Sequence, residues 1–295
     1  AAEGKTPLWA NWVDEKAGEL NGKPFTETRY YGTLTFKAQP ADQAKTAGAA
    51  STTLATMPEP VVNSFGGAVL GDWLYIYSGH VGTVHKYSVD TTSKHFRRFN
   101  LKDKTTWEEL PINRDLQGLA LVTDGRYLYR TGGMYAKNKA DEDNDLVSVA
   151  DFARFDPETK TWTDLAPMPE PRSTHDSVIV GQTIYVVGGW SMKGGDEENP
   201  FLKDAAAFDL AHPENGWKTI PQPFQRRALS VAEAGGKLYI LGGLIGGGQT
   251  VDRKVDVYDP ATDKWTTGPA LPGKSKFDGF GTSSFGIDGR IYYSG

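Results

Sequence analysis

Ile184-Tyr185-Val186-Val187-Gly188-Gly189 is the stretch that decides how this chain folds. Four residues that favour extended backbone run into two glycines, which reads as a short strand ending where the main chain needs positive φ or close approach. Outward in both directions the stretch recurs. Its copies are Leu74-Tyr75-Ile76-Tyr77-Ser78-Gly79, Tyr127-Leu128-Tyr129-Arg130-Thr131-Gly132-Gly133, Leu238-Tyr239-Ile240-Leu241-Gly242-Gly243 and Ile291-Tyr292-Tyr293-Ser294-Gly295. Their last glycines stand at 79, 133, 189, 243 and 295, so the steps are 54, 56, 54 and 52 residues. Steps so even over four intervals mark a structural repeat.

A second signal lies between the glycine elements. An aromatic residue followed by Asp or Asn precedes a Trp by seven to nine residues: Phe99-Asn100 with Trp107, Phe155-Asp156 with Trp162, Phe208-Asp209 with Trp217, and Tyr258-Asp259 with Trp265. Asp156-Pro157-Glu158-Thr159 and Asp259-Pro260-Ala261-Thr262 place Pro at the second turn position, where its fixed φ fits. Each pair therefore reads as a hairpin with the aromatic on one strand and Trp on the next. A proline-marked loop follows each Trp; Leu165-Ala166-Pro167-Met168-Pro169-Glu170-Pro171-Arg172 is the clearest. With a small-residue strand such as Ser177–Val180 in front, each unit holds four strands. One four-stranded sheet cannot bury both of its faces, but radial stacking of such sheets does.

This pattern resembles the Kelch repeat family over residues 54–295. The resemblance rests on the glycine pairs Gly132-Gly133, Gly188-Gly189 and Gly242-Gly243, on the Tyr three residues before each pair, and on Trp107, Trp162, Trp217 and Trp265 at their spacing from the aromatics. It implies an all-β fold, a Kelch-type β-propeller of four-stranded blades, with these glycines and tryptophans structural. About four and a half blades are visible, and the family usually closes its ring with six or seven. The sequence departs from the motif at Ser78 and Ser294, which stand where the first glycine is expected. The last repeat stops after its second strand, which leaves its blade incomplete. Residues 1–53 form an N-terminal extension with a candidate ring-closing strand at Tyr30–Lys37 and a linker-like stretch over 41–53. Either that extension supplies the missing strands or the chain is part of a longer protein, and the exposed edge of a half-blade favours the second reading.

Composition agrees and excludes. Thirty-four glycines and a modest apolar fraction of 38% suit many short strands with tight turns. The formal net charge of −5 offers no basic surface to nucleic acid. The chain has no Cys, which removes disulfides, thiolate metal sites and cysteine nucleophiles. No apolar run reaches the ~20 residues that a membrane-spanning helix needs. The opening Ala1-Ala2-Glu3 is what cleavage after a small-residue signal site leaves, so a secreted or periplasmic location is expected.

Function is expected in the loops, because loops on a rigid scaffold carry it. The resemblance implies that second-to-third-strand loops and inter-blade loops emerge on one face. The former are long here, at about 80–94, 134–146, 190–203 and 244–253. The inter-blade loops contribute Asn113, Arg114 and Asp115; Arg172, Ser173, Thr174 and His175; Arg226 and Arg227; and Lys274, Lys276 and Asp278. Arginines at one loop position in successive blades would ring the mouth with forks that bind carboxylates, an acidic glycan or acidic peptide among them. Alternatively they bond main-chain carbonyls between blades. His175 beside Arg172, and His80 after the first glycine turn, are the histidines placed to act as acid or base. Asp141-Glu142-Asp143-Asn144-Asp145 alternates carboxylates as calcium loops do, but lacks the turn Gly and closing Glu; Asp196-Glu197-Glu198 reads as a solvated loop in the same way. Gly246-Gly247-Gly248 lacks the Lys-Ser/Thr of a phosphate loop. No metal or cofactor is expected.

Three functions fit. The first is a non-catalytic module that binds a protein or glycan through the loop face. The second, implied by family resemblance, is a carbohydrate enzyme of the sialic-acid mutarotase type using Glu170, Arg172 and His175; copper radical oxidases are disfavoured because they need a Cys. The third is a structural component of an exported assembly. No motif fixes a catalytic residue.

Overall fold

Residues 10–20, 23–34, 55–83, 85–195, 199–246, 250–273 and 277–294 are described by the computed structural model, the first two ranges by main chain only. The chain forms two units, Thr53–Arg227 and Ala228–Gly295 with Ala1–Thr52.

The larger unit holds three blades, each a four-stranded antiparallel sheet in sequence order. Blade I is Gly66–Leu70, Trp73–Tyr77, Phe96–Asn100 and Trp107–Leu110. Blade II is Ala120–Thr123, Leu128–Thr131, Phe152–Asp156 and Thr161–Asp164. Blade III is Asp176–Val180, Thr183–Val187, Asp204–Asp209 and Trp217–Pro221. In the other unit, blade IV is Ser230–Ala234, Lys237–Leu241, Val255–Asp259 and Lys264–Thr267. A fifth sheet joins Ser283–Ile287 and Arg290–Ser294 to Lys23–Leu34 and Ala10–Leu20. Tyr31 faces Ser294 and Leu34 faces Ile291 across an antiparallel ladder. The last blade, left incomplete by the sequence reading, is thus four-stranded. Its third and fourth positions are filled by N-terminal strands whose ladder hydrogen bonds occupy the edge of Arg290–Ser294.

The aromatic–Asp motif explains itself at the hairpin that follows it. Asp156 Oδ1 accepts the Glu158 and Thr159 N–H groups at 2.8 and 3.3 Å, and Asn100 Oδ1 accepts those of Lys102 and Asp103 at 2.9 and 3.1 Å. A short side-chain acceptor is needed there to turn the chain, which is why Asp or Asn recurs. Across each hairpin the aromatic and the Trp sit side by side. Phe99–Trp107, Phe155–Trp162, Phe208–Trp217 and Tyr258–Trp265 have ring centroids 4.9, 5.0, 5.1 and 4.8 Å apart.

Two of these Trp side chains also join neighbouring blades. Trp162 of blade II meets Tyr77 and Phe96 of blade I at 5.3 and 5.6 Å, and its indole N–H donates to the Pro111 carbonyl at 2.9 Å. Trp217 of blade III repeats the move one blade on: it meets Phe152 at 5.0 Å and donates to the Ala166 carbonyl at 2.9 Å. Each such aromatic contact adds about 0.5–1.5 kcal/mol beyond its buried area. Between blades I and II the core is Tyr75, Tyr77, Phe96, Leu128 and Phe155; between II and III it is Tyr129, Phe152, Ile184 and Phe208. In the second unit Leu241 and Val255 pack with Ile291 and Tyr293.

Candidate functional site

The glycine pairs sit where one blade hands over to the next. Gly132 has φ +54°, and a Cβ there would lie 2.4 Å from the Arg172 carbonyl oxygen and 2.6 Å from His175 Cε1. Gly133, at φ +114°, donates its N–H to that same Arg172 carbonyl at 2.9 Å. The pair therefore lets the main chain of blade II touch and bond the loop that leads into blade III. Gly79 does the same to Leu116 O at 3.0 Å, and Gly189 to Arg226 O at 2.8 Å. Ser78 fills the first position of its pair at φ +52° and uses its hydroxyl instead: it donates to Ser93 O at 2.7 Å and accepts from Leu116 N–H at 3.0 Å.

A second series of main-chain bonds runs beside the first, through a column the sequence reading did not recognise. Ser64, Gly118, Thr174, Ala228 and Gly281 all have φ between +49° and +60°. In the larger unit Gly118 N–H donates to Ser64 O and Thr174 N–H donates to Gly118 O, both at 2.7 Å. In the other unit Gly281 N–H donates to Ala228 O at 3.3 Å. Their even spacing was the signal; it was hidden because only two of the five are glycine.

Aligned on this column, Arg172 and Arg226 share one position, and both are fully buried. Arg172 Nη1 donates to the Gly188 and Asp204 carbonyls at 3.2 and 3.3 Å, so it takes the carbonyl-bonding alternative rather than presenting a fork to solvent. Burial pushes its pKa down to about 10. The Arg226 guanidinium lies 4.3 Å from the Phe224 ring centre. His175 is buried, with Nε2 3.1 Å from Thr131 Oγ1. Burial, with Arg172 nearby, drives its pKa down to about 3, so the ring is neutral at physiological pH. Glu170 is exposed. His80 is buried, its Nε2 at 3.0 Å from Thr83 O and its ring 5.0 Å from Tyr87. Half-buried Arg227 stacks over Trp190 at 4.2 Å and reaches Phe201 at 5.7 Å.

Arg114 differs from the others. It stands two residues before the Arg172 column, where Leu116 takes the buried place. Its Nη1 lies 2.8 and 2.7 Å from the two Asp151 carboxylate oxygens, and its guanidinium is 5.5 Å from the Tyr135 ring centre. Beside it opens a cavity of about 260 Å³ lined by Val89, Thr92, Arg114, Asp115, Tyr135 and Ala136. Tyr135 and Ala136 belong to a short strand, Met134–Ala136, which pairs with Leu146–Ser148 inside the second-to-third-strand loop of blade II. Of the cavity's lining, sequence reading named Arg114 and Asp115 as residues, and Val89, Thr92, Tyr135 and Ala136 only as parts of the long loops 80–94 and 134–146; Tyr135 and Ala136 reach it because their loop folds back as a hairpin.

In the acidic stretch, Asp145 Oδ1 accepts the Gly195 N–H at 2.9 Å and Glu142 Oε2 the Lys139 N–H at 2.6 Å. Asp196, Glu197, Glu198, Gly247, Gly248, Lys274 and Lys276 lie outside the described residues. Among the described residues no helix is long and apolar enough to cross a membrane.

Comparison with known proteins agrees with the geometry. The Kelch motif family model matches residues 225–272. Kelch repeat and BTB domain-containing protein 12 of Danio rerio is 27% identical over 78% of this chain and 38% of its own length. N-(sulfonatooxy)prop-2-enimidothioate sulfolyase of Thlaspi arvense is 30% identical over 69% of this chain and 61% of its own. The chain thus spans less than two thirds of either relative. Among solved structures, that of YjhT superposes with a TM-score of 0.61 at 15% identity, covering 82% of this chain and 73% of that one. Repeat, blade and relatives converge: the chain is a Kelch-repeat β-propeller.

Proposed function

We propose that this chain is a non-catalytic protein-binding module whose contact surface is the loop side of blades I and II. One observation carries the reading. The polar residues best suited to chemistry, Arg172, Arg226, His175 and His80, are buried, while Arg114, Asp115, Tyr135 and Val89 remain at least partly open around a cavity. A buried neutral imidazole and a guanidinium bonded to carbonyls hold blades together; neither reaches a substrate. Kelch-repeat relatives, several of them Kelch-like proteins, support a propeller used for association.

Selecting peptides from a displayed library on the folded chain tests the proposal. Enriched peptides are expected to bind the Tyr135→Ala, Val89→Asp double variant about tenfold or more weakly, as loss of an aromatic anchor does. Equal binding to the double variant, or no enrichment at all, overturns it.

The sulfolyase relative supports a second, enzymatic reading. Of the sequence-derived set for it, Glu170 is exposed whereas Arg172 and His175 are buried, so that set offers a substrate no shared pocket. Turnover of a sulfated or acidic sugar substrate that Arg172→Met abolishes without unfolding the chain would restore this reading.

A further inference from the structure

The charges around the cavity between blades I and II are not evenly matched. Asp151 is committed twice: to Arg114 through both carboxylate oxygens, and to buried Arg130, whose Nη2 lies 3.5 Å away. Arg114 is further occupied by the ring of Tyr135. Asp115 is different. Half-buried in the wall of the same cavity, it makes no hydrogen bond or ion pair among the described residues. A half-buried carboxylate gains much from a cationic partner, because its neighbours screen it less than bulk water does.

The rest of the wall suits that partner. Thr92 offers a hydroxyl oxygen, which accepts the buried Gln117 Nε2–H at 3.3 Å and keeps a second lone pair. This is acceptor capacity that a group with several N–H donors uses. Val89 and Ala136 supply apolar surface for a methylene stem, as lysine and arginine arms require. At about 260 Å³ the space is smaller than the roughly 300–1,000 Å³ of drug-sized sites, and fits one side chain rather than a whole ligand. The chain's net charge of −5 draws basic partners at longer range.

We infer that this cavity is the receptor for a single basic side chain, arginine or lysine, of a protein partner, with Asp115 as its counter-charge. The inference rests on the binding-module reading and names the partner's chemistry at that site.

Amide chemical shifts of the folded chain, titrated with N-acetylarginine amide, test it. Saturable shifts are expected at Thr92, Asp115 and Ala136. The uncharged isostere N-acetylcitrulline amide and N-acetylglutamate amide should leave these amides in place. Asp115→Asn should weaken the arginine titration about tenfold or more, the effect of losing a charge-assisted hydrogen bond. If that variant fails to fold, the native chain still decides: raising salt from about 50 to about 500 mM should weaken arginine binding and leave any citrulline effect unchanged. Equal shifts from citrulline, stronger shifts from glutamate, or unchanged arginine binding in Asp115→Asn overturns the inference. Its failure is separable from that of the parent reading. Selected peptides that bind without any basic residue sink the cavity's role and keep the module. Arginine shifts without any selected peptide do the reverse.

Discussion

The junction between blades I and II and the junction between II and III use one main-chain plan and fill it differently. In both, the second residue of a glycine element donates to the loop ahead, Gly79 to Leu116 and Gly133 to Arg172. In both, a left-handed residue, Gly118 or Thr174, donates back to its counterpart one repeat earlier. At the position between, one junction holds Leu116 and the other Arg172. With Arg172 the junction is tied by guanidinium-to-carbonyl bonds. With Leu116 the nearby arginine shifts two residues outward to Arg114, pairs with Asp151, and a cavity opens. A repeat can therefore keep its backbone contacts and convert a sealed seam into an open cavity by exchanging two or three side chains.

Gly132→Ala is the heaviest blow to this comparison. The new Cβ meets Arg172 O at 2.4 Å with φ at +54°, so about 3 kcal/mol or more should be lost in urea unfolding. Gly71→Ala, at φ +58° with nothing within 4 Å, should lose only about 1 kcal/mol. Similar losses for the two would mean that the glycine pair serves local conformation and not the junction.

Acid comes next. His175 is neutral in the fold, with a pKa of about 3, and binds a proton near pH 6.5 when unfolded. The unfolded chain therefore gains protons first, and stability from this group falls as pH drops from about 6.5 toward 3. Near pH 4.5 the loss is about 2–3 kcal/mol. His175→Gln should be less acid-sensitive than the native chain by that amount when unfolding at pH 7 and pH 4.5 is compared. Equal pH dependence in both proteins would refute a buried neutral ring.

Arg172→Leu copies the first junction's residue into the second. Removing donors from the Gly188 and Asp204 carbonyls should cost about 1–3 kcal/mol by thermal unfolding. No loss would show that the sealed seam does not depend on the guanidinium. Smallest is Ser78→Gly, which restores the regular pair. It loses two hydroxyl hydrogen bonds but relieves a left-handed serine, so the net change should stay within about 1 kcal/mol.

These contrasts also show which parts of the molecule were legible in its sequence. The period was, because Gly132-Gly133, Trp162 and Asp156 each satisfy a local demand that few residue types meet: close approach, a wedge that also donates, a turn acceptor. The arginines were found, with solvent-facing forks and carbonyl bonding left as alternatives that the sequence did not separate. Arg172 and Arg114 look alike in a loop, and only their distance from Thr174 and Gly118 separates a buried position from an open one. That column was concealed because Ser64, Thr174 and Ala228 adopt a glycine-like conformation without being glycine. Tyr135 and Val89 were legible only as members of the long loops 134–146 and 80–94, since their place at the cavity depends on how those loops fold. The strand near Tyr30 was visible as a candidate, but its ladder with Arg290–Ser294 spans the length of the chain and no local pattern encodes it.

The relay through Ser64, Gly118 and Thr174 is made wholly of main-chain atoms, so it constrains a backbone twist and leaves chemical identity open. Evolution, or an engineer, can rewrite the residues just ahead of each of these positions as a cassette, altering what one seam grips while adjoining seams stay in register. Variation in this propeller is in that sense modular at the scale of a single loop, and a graft that respects the left-handed residue inherits the scaffold's alignment without redesigning it.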